Sequence, residues 1–263
     1  MNKFFIPILC LITALLISNT AAAARQPIVV LQKSVPFGLY QGKEESIWKM
    51  GGSNPAFVLY DDGLVIFKKP GDDITLFSAQ LSEEHMNDLL ARFKLSSDFA
   101  GLEESYDASR MLDQPVFIIR SWQDGHIKTV RVFGDVEGNQ EARDNTPSAF
   151  LKILDQMASF DPETAQPYEP EFVELYILPY TDAEGEPVAW PEGWADLEDA
   201  RTTDQTKTVG HEGYNIYLAG EHKEEFEKLL AGLNEKQAVL MNERKWYVSP
   251  YRYCLPSEEL WED

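Results

Sequence analysis

The chain has 263 residues, with 44 acidic against 23 basic side chains and a formal charge of −21. Such an excess of negative charge repels phosphate backbones and anionic lipid surfaces, which excludes nucleic-acid binding and membrane attachment through basic patches. Hydrophobic residues make up 44% of the sequence, enough for a core, and the length suggests one or two domains.

The first 24 residues have the layout of a secretory signal peptide. Lys3 begins a basic region, Phe4 to Ile17 is apolar, and Ala21-Ala22-Ala23-Ala24 supplies the small residues of a cleavage site. The apolar run contains Pro7 and falls short of the roughly 20 residues that span a bilayer. Cys10 lacks the small residues expected before a lipidated cysteine. Cleavage after Ala24 leaves 239 of the 263 residues, removes Lys3 and takes the formal charge to −22. Export follows as the expectation, to the periplasm and with no membrane span after cleavage. Cys254 is then the only cysteine, so no internal disulfide can form. Its neighbours Tyr253 and Leu255 favour a small buried hydrophobe over pairing between molecules.

Residues 25–160 read as a first α+β domain. Ala56 to Tyr60 and Leu64 to Phe67 flank Asp61-Asp62-Gly63, a hairpin signal because the turn needs φ > 0 where Gly stands. Ser82 caps a helix whose first turn carries Glu83 and Glu84. Met86, Leu89, Leu90 and Phe93 fall on one face of that helix. A second hairpin joins Val116 to Trp122 with His126 to Phe133 across Gln123-Asp124-Gly125. Lys128, Val130 and Val132 lie on one side of its last strand, Thr129 and Arg131 on the other, the pattern of a half-buried antiparallel strand. Thr146-Pro147 opens another helix, with Pro147 at the first helical position and Phe150, Leu151, Leu154 and Met157 as its buried face.

Residues 161–170 carry three prolines and no apolar period, and predict a linker. Residues 171–263 read as a second α+β domain. Phe172 to Leu178 and Tyr214 to Ala219 are strands, the first stopped by Pro179. Glu221 to Leu233 is a helix with Phe226, Leu229, Leu230 and Leu233 on its face, supported by Glu224 and Lys228 at i, i+4. Ala238 to Met241 and Lys245 to Val248 form a hairpin across Asn242-Glu243-Arg244. The fold class expected is thus α+β: antiparallel hairpins with packed amphipathic helices, in two parts.

The search for chemistry finds no catalytic constellation. His85, His126, His211 and His222 make neither of the helical zinc spacings. Asp135 to Glu141 and Asp182 to Glu186 read as solvated acidic turns, since neither has Gly and Glu at the places a calcium loop of the EF-hand type requires. No Gly-x-Ser-x-Gly or phosphate loop is present. No cofactor or metal is expected. The aromatic residues Trp190, Trp194, Trp246 and Tyr251 are the binding candidates, since Trp and Tyr in loops can take a sugar or a protein partner. Packing of the two aromatic clusters against each other is the favoured alternative.

The run Asn54-Pro55-Ala56-Phe57-Val58-Leu59-Tyr60-Asp61-Asp62-Gly63-Leu64-Val65-Ile66, followed by Leu81-Ser82-Glu83-Glu84 and Leu89-Leu90, resembles an uncharacterised group of exported bacterial proteins. There a Pro-x-Phe-x-Leu-Tyr-x-Asp-Gly hairpin precedes a Leu-Ser-x-Glu helix. Trp190-Pro191-Glu192-Gly193-Trp194-Ala195-Asp196-Leu197 and Lys245-Trp246-Tyr247-Val248 fit the same group. The resemblance implies a bacterial envelope setting and no particular activity. The functional expectation is an exported acidic binding or structural protein. The alternatives are an envelope hydrolase whose residues meet only in three dimensions, and an inhibitor or immunity-type protein for a basic partner.

Overall fold

The computed structural model describes residues 25–34, 54–72, 75–123, 125–234 and 236–261, except for the side chains at 209, 249 and 250. The expected signal peptide, 1–24, and the tip residue Asp124 lie outside the described residues.

The first part contains β1 (Pro27–Ser34), β2 (Phe57–Tyr60), β3 (Leu64–Lys68), β4 (Leu76–Gln80), α1 (Glu83–Phe93), β5 (Ser105–Asp107), β6 (Val116–Gln123), β7 (His126–Phe133), α2 (Gln140–Asp144), α3 (Ser148–Ala158) and β8 (Gln166–Pro167). Its strands form one sheet in the order β5-β7-β6-β1-β2-β3-β4-β8. All pairs are antiparallel except β5 with β7.

Both predicted hairpins are present. Leu59 pairs with Val65 and Phe57 with Phe67. Gly63 turns the chain at φ +83°, where a Cβ would lie 2.6 Å from the Leu81 carbonyl oxygen. In the second hairpin Gln123 pairs with His126. Ser82 Oγ accepts the His85 N–H at 3.3 Å and starts α1. The helix ends where Lys94 enters the left-handed region at φ 50°.

Alternation sends the side chains of this sheet to two faces. Val29, Leu31, Phe57, Leu59, Val65 and Phe67 meet Leu89 and Phe93 of α1 and Phe150, Ile153, Leu154 and Met157 of α3. Phe160 closes this core edge-on, 5.4 Å from Phe57 and 4.9 Å from Phe67. The buried face of α3 differs from the expectation in one place: Ile153 is buried and Leu151 only partly so. Positions 150, 153, 154 and 157 follow the helical period more closely than 150, 151, 154 and 157. Pro147 sits at the cap, with ψ 133°, one position before the first helical residue. On the opposite face of the sheet Val30, Val58, Tyr60, Ile66 and Leu76 are buried under Tyr168, Leu255 and Trp261.

The second part contains β9 (Phe172–Pro179), β10 (Val188–Ala189), β11 (Thr203–Asp204), α4 (Thr206–Val209), β12 (Tyr214–Ala219), α5 (Lys223–Gly232), β13 (Val239–Met241) and β14 (Arg244–Tyr253), followed by a 3₁₀ turn at Glu258–Leu260. Its sheet has the order β10-β13-β14-β9-β12-β11. Val173, Leu175, Ile177, Ile216, Leu218 and Trp246 make the apolar face against Phe226 and Leu230 of α5.

The last hairpin is tighter than predicted. Arg244 belongs to the strand and pairs with Met241. The turn is Asn242-Glu243, with φ of 49° and 62°, as a two-residue turn matched to strand twist requires. β14 also runs five residues beyond Val248. It does so through a bulge: Val248 pairs with Ile177 but Tyr251 with Leu175. The extra residue moves the alternation by one. Trp246 and Val248 face the apolar core before the bulge, and Tyr251 faces it after. Arg252 is therefore turned to the opposite face. Pro250 lies within this irregularity, where a missing N–H is tolerated.

The segment 161–170 marks the change from one sheet to the other, and it is also built into the first. Gln166 and Pro167 pair with Ser78 and Phe77, and Tyr168 is buried with the outer face of that sheet.

Candidate functional site

The polar face of the second sheet carries a buried ionic cluster. Glu174 of β9 lies in register with Tyr217 of β12 and Arg252 of β14. It is only 8% exposed. Its Oε2 accepts Arg252 Nε at 2.5 Å, and Arg252 Nη2 lies at the same distance. Its Oε1 accepts Asn215 Nδ2 at 2.6 Å and the Tyr217 hydroxyl at 3.2 Å. The remaining guanidinium nitrogen, Nη1, donates to Glu258 Oε2 at 3.0 Å. Glu258 Oε1 accepts the Leu255 N–H at 2.7 Å. Burial, with the Glu174 charge next to it, pushes the Tyr217 phenol above its ordinary value.

A second cluster lies where β14 leaves the sheet. Glu227 Oε1, from α5, accepts the hydroxyls of Tyr251 at 3.2 Å and Tyr253 at 2.5 Å. Both phenols are pushed well above the ordinary tyrosine range, chiefly by burial. The backbone of Tyr253 is bracketed by Asn54, whose Oδ1 accepts the Tyr253 N–H at 3.0 Å while its Nδ2 donates to the Tyr253 carbonyl at 2.6 Å. Tyr60 and Tyr168, from the first part, donate to the carbonyls of Pro256 and Cys254 at 2.9 and 3.1 Å. Lys223 Nζ donates to the Tyr168 carbonyl at 3.1 Å. These bonds tie residues 253–256 to both sheets.

Chemically the Glu174–Arg252–Glu258 cluster is a clamp. General acid–base work needs a carboxyl free to exchange a proton with a substrate. Here all four carboxylate oxygens accept bonds from within the chain, and the guanidinium fork is divided between two anions. Such a geometry orients backbone and strand ends.

The predicted aromatic residues come together inside the second core. Trp194 is buried and meets Trp190 edge-on at 5.3 Å. Both lie against Phe226, at 6.3 and 6.4 Å, and Phe226 lies 5.1 Å from Tyr251. Trp190 Nε1 donates to the Ala195 carbonyl at 3.0 Å. Trp246 is fully buried, and its Nε1 donates to the Met241 carbonyl at 3.1 Å. Trp194, Trp246 and Tyr251 thus offer packing surface to their own core, and the indole donors of Trp190 and Trp246 are used within it. Of the two readings of these residues, an open binding patch or packing of the clusters, the burial of Trp194, Trp246 and Tyr251 fits the second.

The histidines stay apart. His85, His126 and His211 are exposed, and His222 is half-buried beside the Trp194 ring, 5.4 Å away. His85, Asp88 and Arg92 of α1 line an open groove of about 600 Å³ with Leu81, Leu89 and Phe160. Asp135 Oδ1 accepts the Gly138 N–H at 3.0 Å, closing its acidic turn on itself. Among the described residues no group of three or more His, Cys, Asp or Glu is placed to hold a metal ion, and no helix is long and apolar enough to cross a membrane.

The ionic cluster was missed in the sequence. Its signals were slight: a Glu at the centre of an alternating strand, and an Arg between Tyr251 and Tyr253. Their meeting depends on the bulge, which leaves no mark in periodicity. In comparisons with protein-family models, curated proteins and solved structures, nothing matches this chain.

Proposed function

We propose that this is an exported, acidic, non-catalytic protein of the bacterial envelope, acting in the periplasm by binding a partner or as a structural component. The observation that carries the reading is the clamp. The chain's buried carboxylate cluster is occupied in holding the C-terminal segment to the second sheet, with every oxygen engaged. Export is supported by the basic, apolar and small-residue succession of residues 3–24. The charge of −21 favours a basic protein as partner, through complementary potentials that speed encounter. With Trp194 and Trp246 facing inward, that surface charge supports partner binding better than aromatic stacking on a sugar does.

The test uses the full chain expressed with its leader. The periplasmic fraction should hold a protein whose N-terminus, by mass spectrometry, lies at or near Arg25. Retention of Met1 would overturn the export reading. The purified protein should turn over no ester, peptide or glycoside substrate. A turnover abolished by Glu174→Gln, in a variant that keeps its cooperative melt, would make the clamp an active site and reject the non-catalytic reading.

A further inference from the structure

The segment 254–261 leaves the second sheet and lies on the first. Leu255 and Trp261 are buried there against Val30, Val58, Tyr60 and Ile66. The segment joins no strand ladder among the described residues.

Two features make its docked state costly. Ser257 stands in the left-handed region at φ 55°, which a residue with a Cβ adopts only under constraint. The indole N–H of Trp261 is buried with no hydrogen-bond partner among the described residues, and an unmet buried donor is unfavourable. Undocking relieves both: Ser257 is freed to rotate and the indole N–H meets water.

The ionic contact is also arranged to open. Glu258 is one of two anions on Arg252, and the other, Glu174, stays with the sheet. When Glu258 leaves, Arg252 keeps a counter-ion, so no uncompensated charge is left buried. The movement gives up the Cys254 N–H bond to the Phe172 carbonyl and the Tyr60 and Tyr168 bonds to the Pro256 and Cys254 carbonyls, and leaves the strand pairs of both sheets in place.

We infer that residues 254–261 form a strap that undocks while both sheets stay folded, with the Arg252–Glu258 pair as its catch. Undocking bares an apolar strip of the first sheet formed by Val30, Val58, Tyr60, Ile66 and Leu76.

Native-state hydrogen exchange on the full chain tests this. The amides of Leu255, Leu260 and Trp261 are bonded within the strap and should exchange about a hundredfold faster than those of Leu175 and Ile177 in β9, as a locally opening unit does. Glu258→Gln should speed exchange of the strap about tenfold and leave β9 unchanged. Trp261→Phe, which removes the unmet donor and keeps an aromatic ring, should slow it. Strap amides that exchange at the rate of β9, with the same denaturant dependence, would mean that the segment opens only on global unfolding and would overturn the inference. A Glu258→Gln variant that leaves the strap unchanged, or speeds strap and β9 equally, would remove the catch.

Discussion

The first sheet is apolar on both faces at its centre, whereas the second has one apolar face and one that carries a buried ion cluster. All four residues of β2 are buried. In β9 Val173, Leu175 and Ile177 are buried on one side, and the other side carries Glu174, buried, with Tyr176 and Leu178, half-buried. Two covers lie over the first sheet, the α1–α3 helix pair and the chain's own C-terminus. On the apolar face of the second lie α5 and the loop that carries Trp190 and Trp194. A sheet covered twice reads as continuous hydrophobic runs, and a sheet covered once reads as alternation. The chain thus holds its first half chiefly by packing and joins its second half to it by directed polar bonds.

Substitutions can break that contrast. Arg252→Met should have the largest effect, about 3–5 kcal/mol in urea unfolding, because it leaves Glu174 and Glu258 buried without their cation. Adding Glu174→Gln and Glu258→Gln should recover part of the loss. A loss under about 1 kcal/mol for the single variant would mean that the second sheet, too, is held by packing alone.

Alkali should strike the junction next. Burial raises the phenols of Tyr60, Tyr168, Tyr251 and Tyr253 above their ordinary value in the folded chain. The folded state therefore retains protons that the unfolded state releases near pH 10. Stability from these groups is fully present below about pH 10 and falls above it, by up to about 1.4 kcal/mol per pH unit for each tyrosine. Melting temperatures between pH 8 and pH 12 should drop steeply past that point, and less steeply in Tyr60→Phe. A flat profile would show that the phenols ionise without strain.

Asn54→Ala should cost about 1–3 kcal/mol by leaving the N–H and carbonyl of Tyr253 without their amide partner. It should also increase proteolysis around residues 161–170 if the two halves separate. The smallest effect is expected from Ser82→Ala, about 1 kcal/mol, confined to the cap of α1 and with no change at the ionic cluster. An equal loss of protection in β14 would tie α1 to the second sheet.

Elements whose instructions are local were legible in the residues. Gly63 and Gly125 mark their turns, Ser82 caps its helix, and Phe226 and Leu230 repeat at the helical spacing. The unpredicted strands had weaker local marks. β1 has no turn signal beside it, and β4 is a five-residue run with a polar end. The short strands β5, β8, β10 and β11 exist only through the neighbours they pair with. Tertiary context likewise decides that a Pro-rich stretch becomes β8 and Tyr168 a core residue. The ionic cluster was the least legible, because it joins residues 78 positions apart through a local irregularity. The aromatic residues were visible as a class, but composition carries no information on which way a ring points.

The bulge between Val248 and Tyr251 acts on the last strand as a parity bit. Every residue after it has the opposite sidedness from the one that simple counting assigns. Deleting one residue there would remove the bulge and leave the message unchanged: with Val248 opposite Ile177 and Tyr251 opposite Leu175, plain alternation keeps Tyr251 inward and Arg252 on the opposite face. Tolerance to mutation at this place should therefore depend on length before identity. Exchanges at 249 or 250 that keep the count should be absorbed, and so should a one-residue deletion that takes out the bulge, while a one-residue insertion displaces the face or the register of all that follows, including the segment that closes over the first sheet.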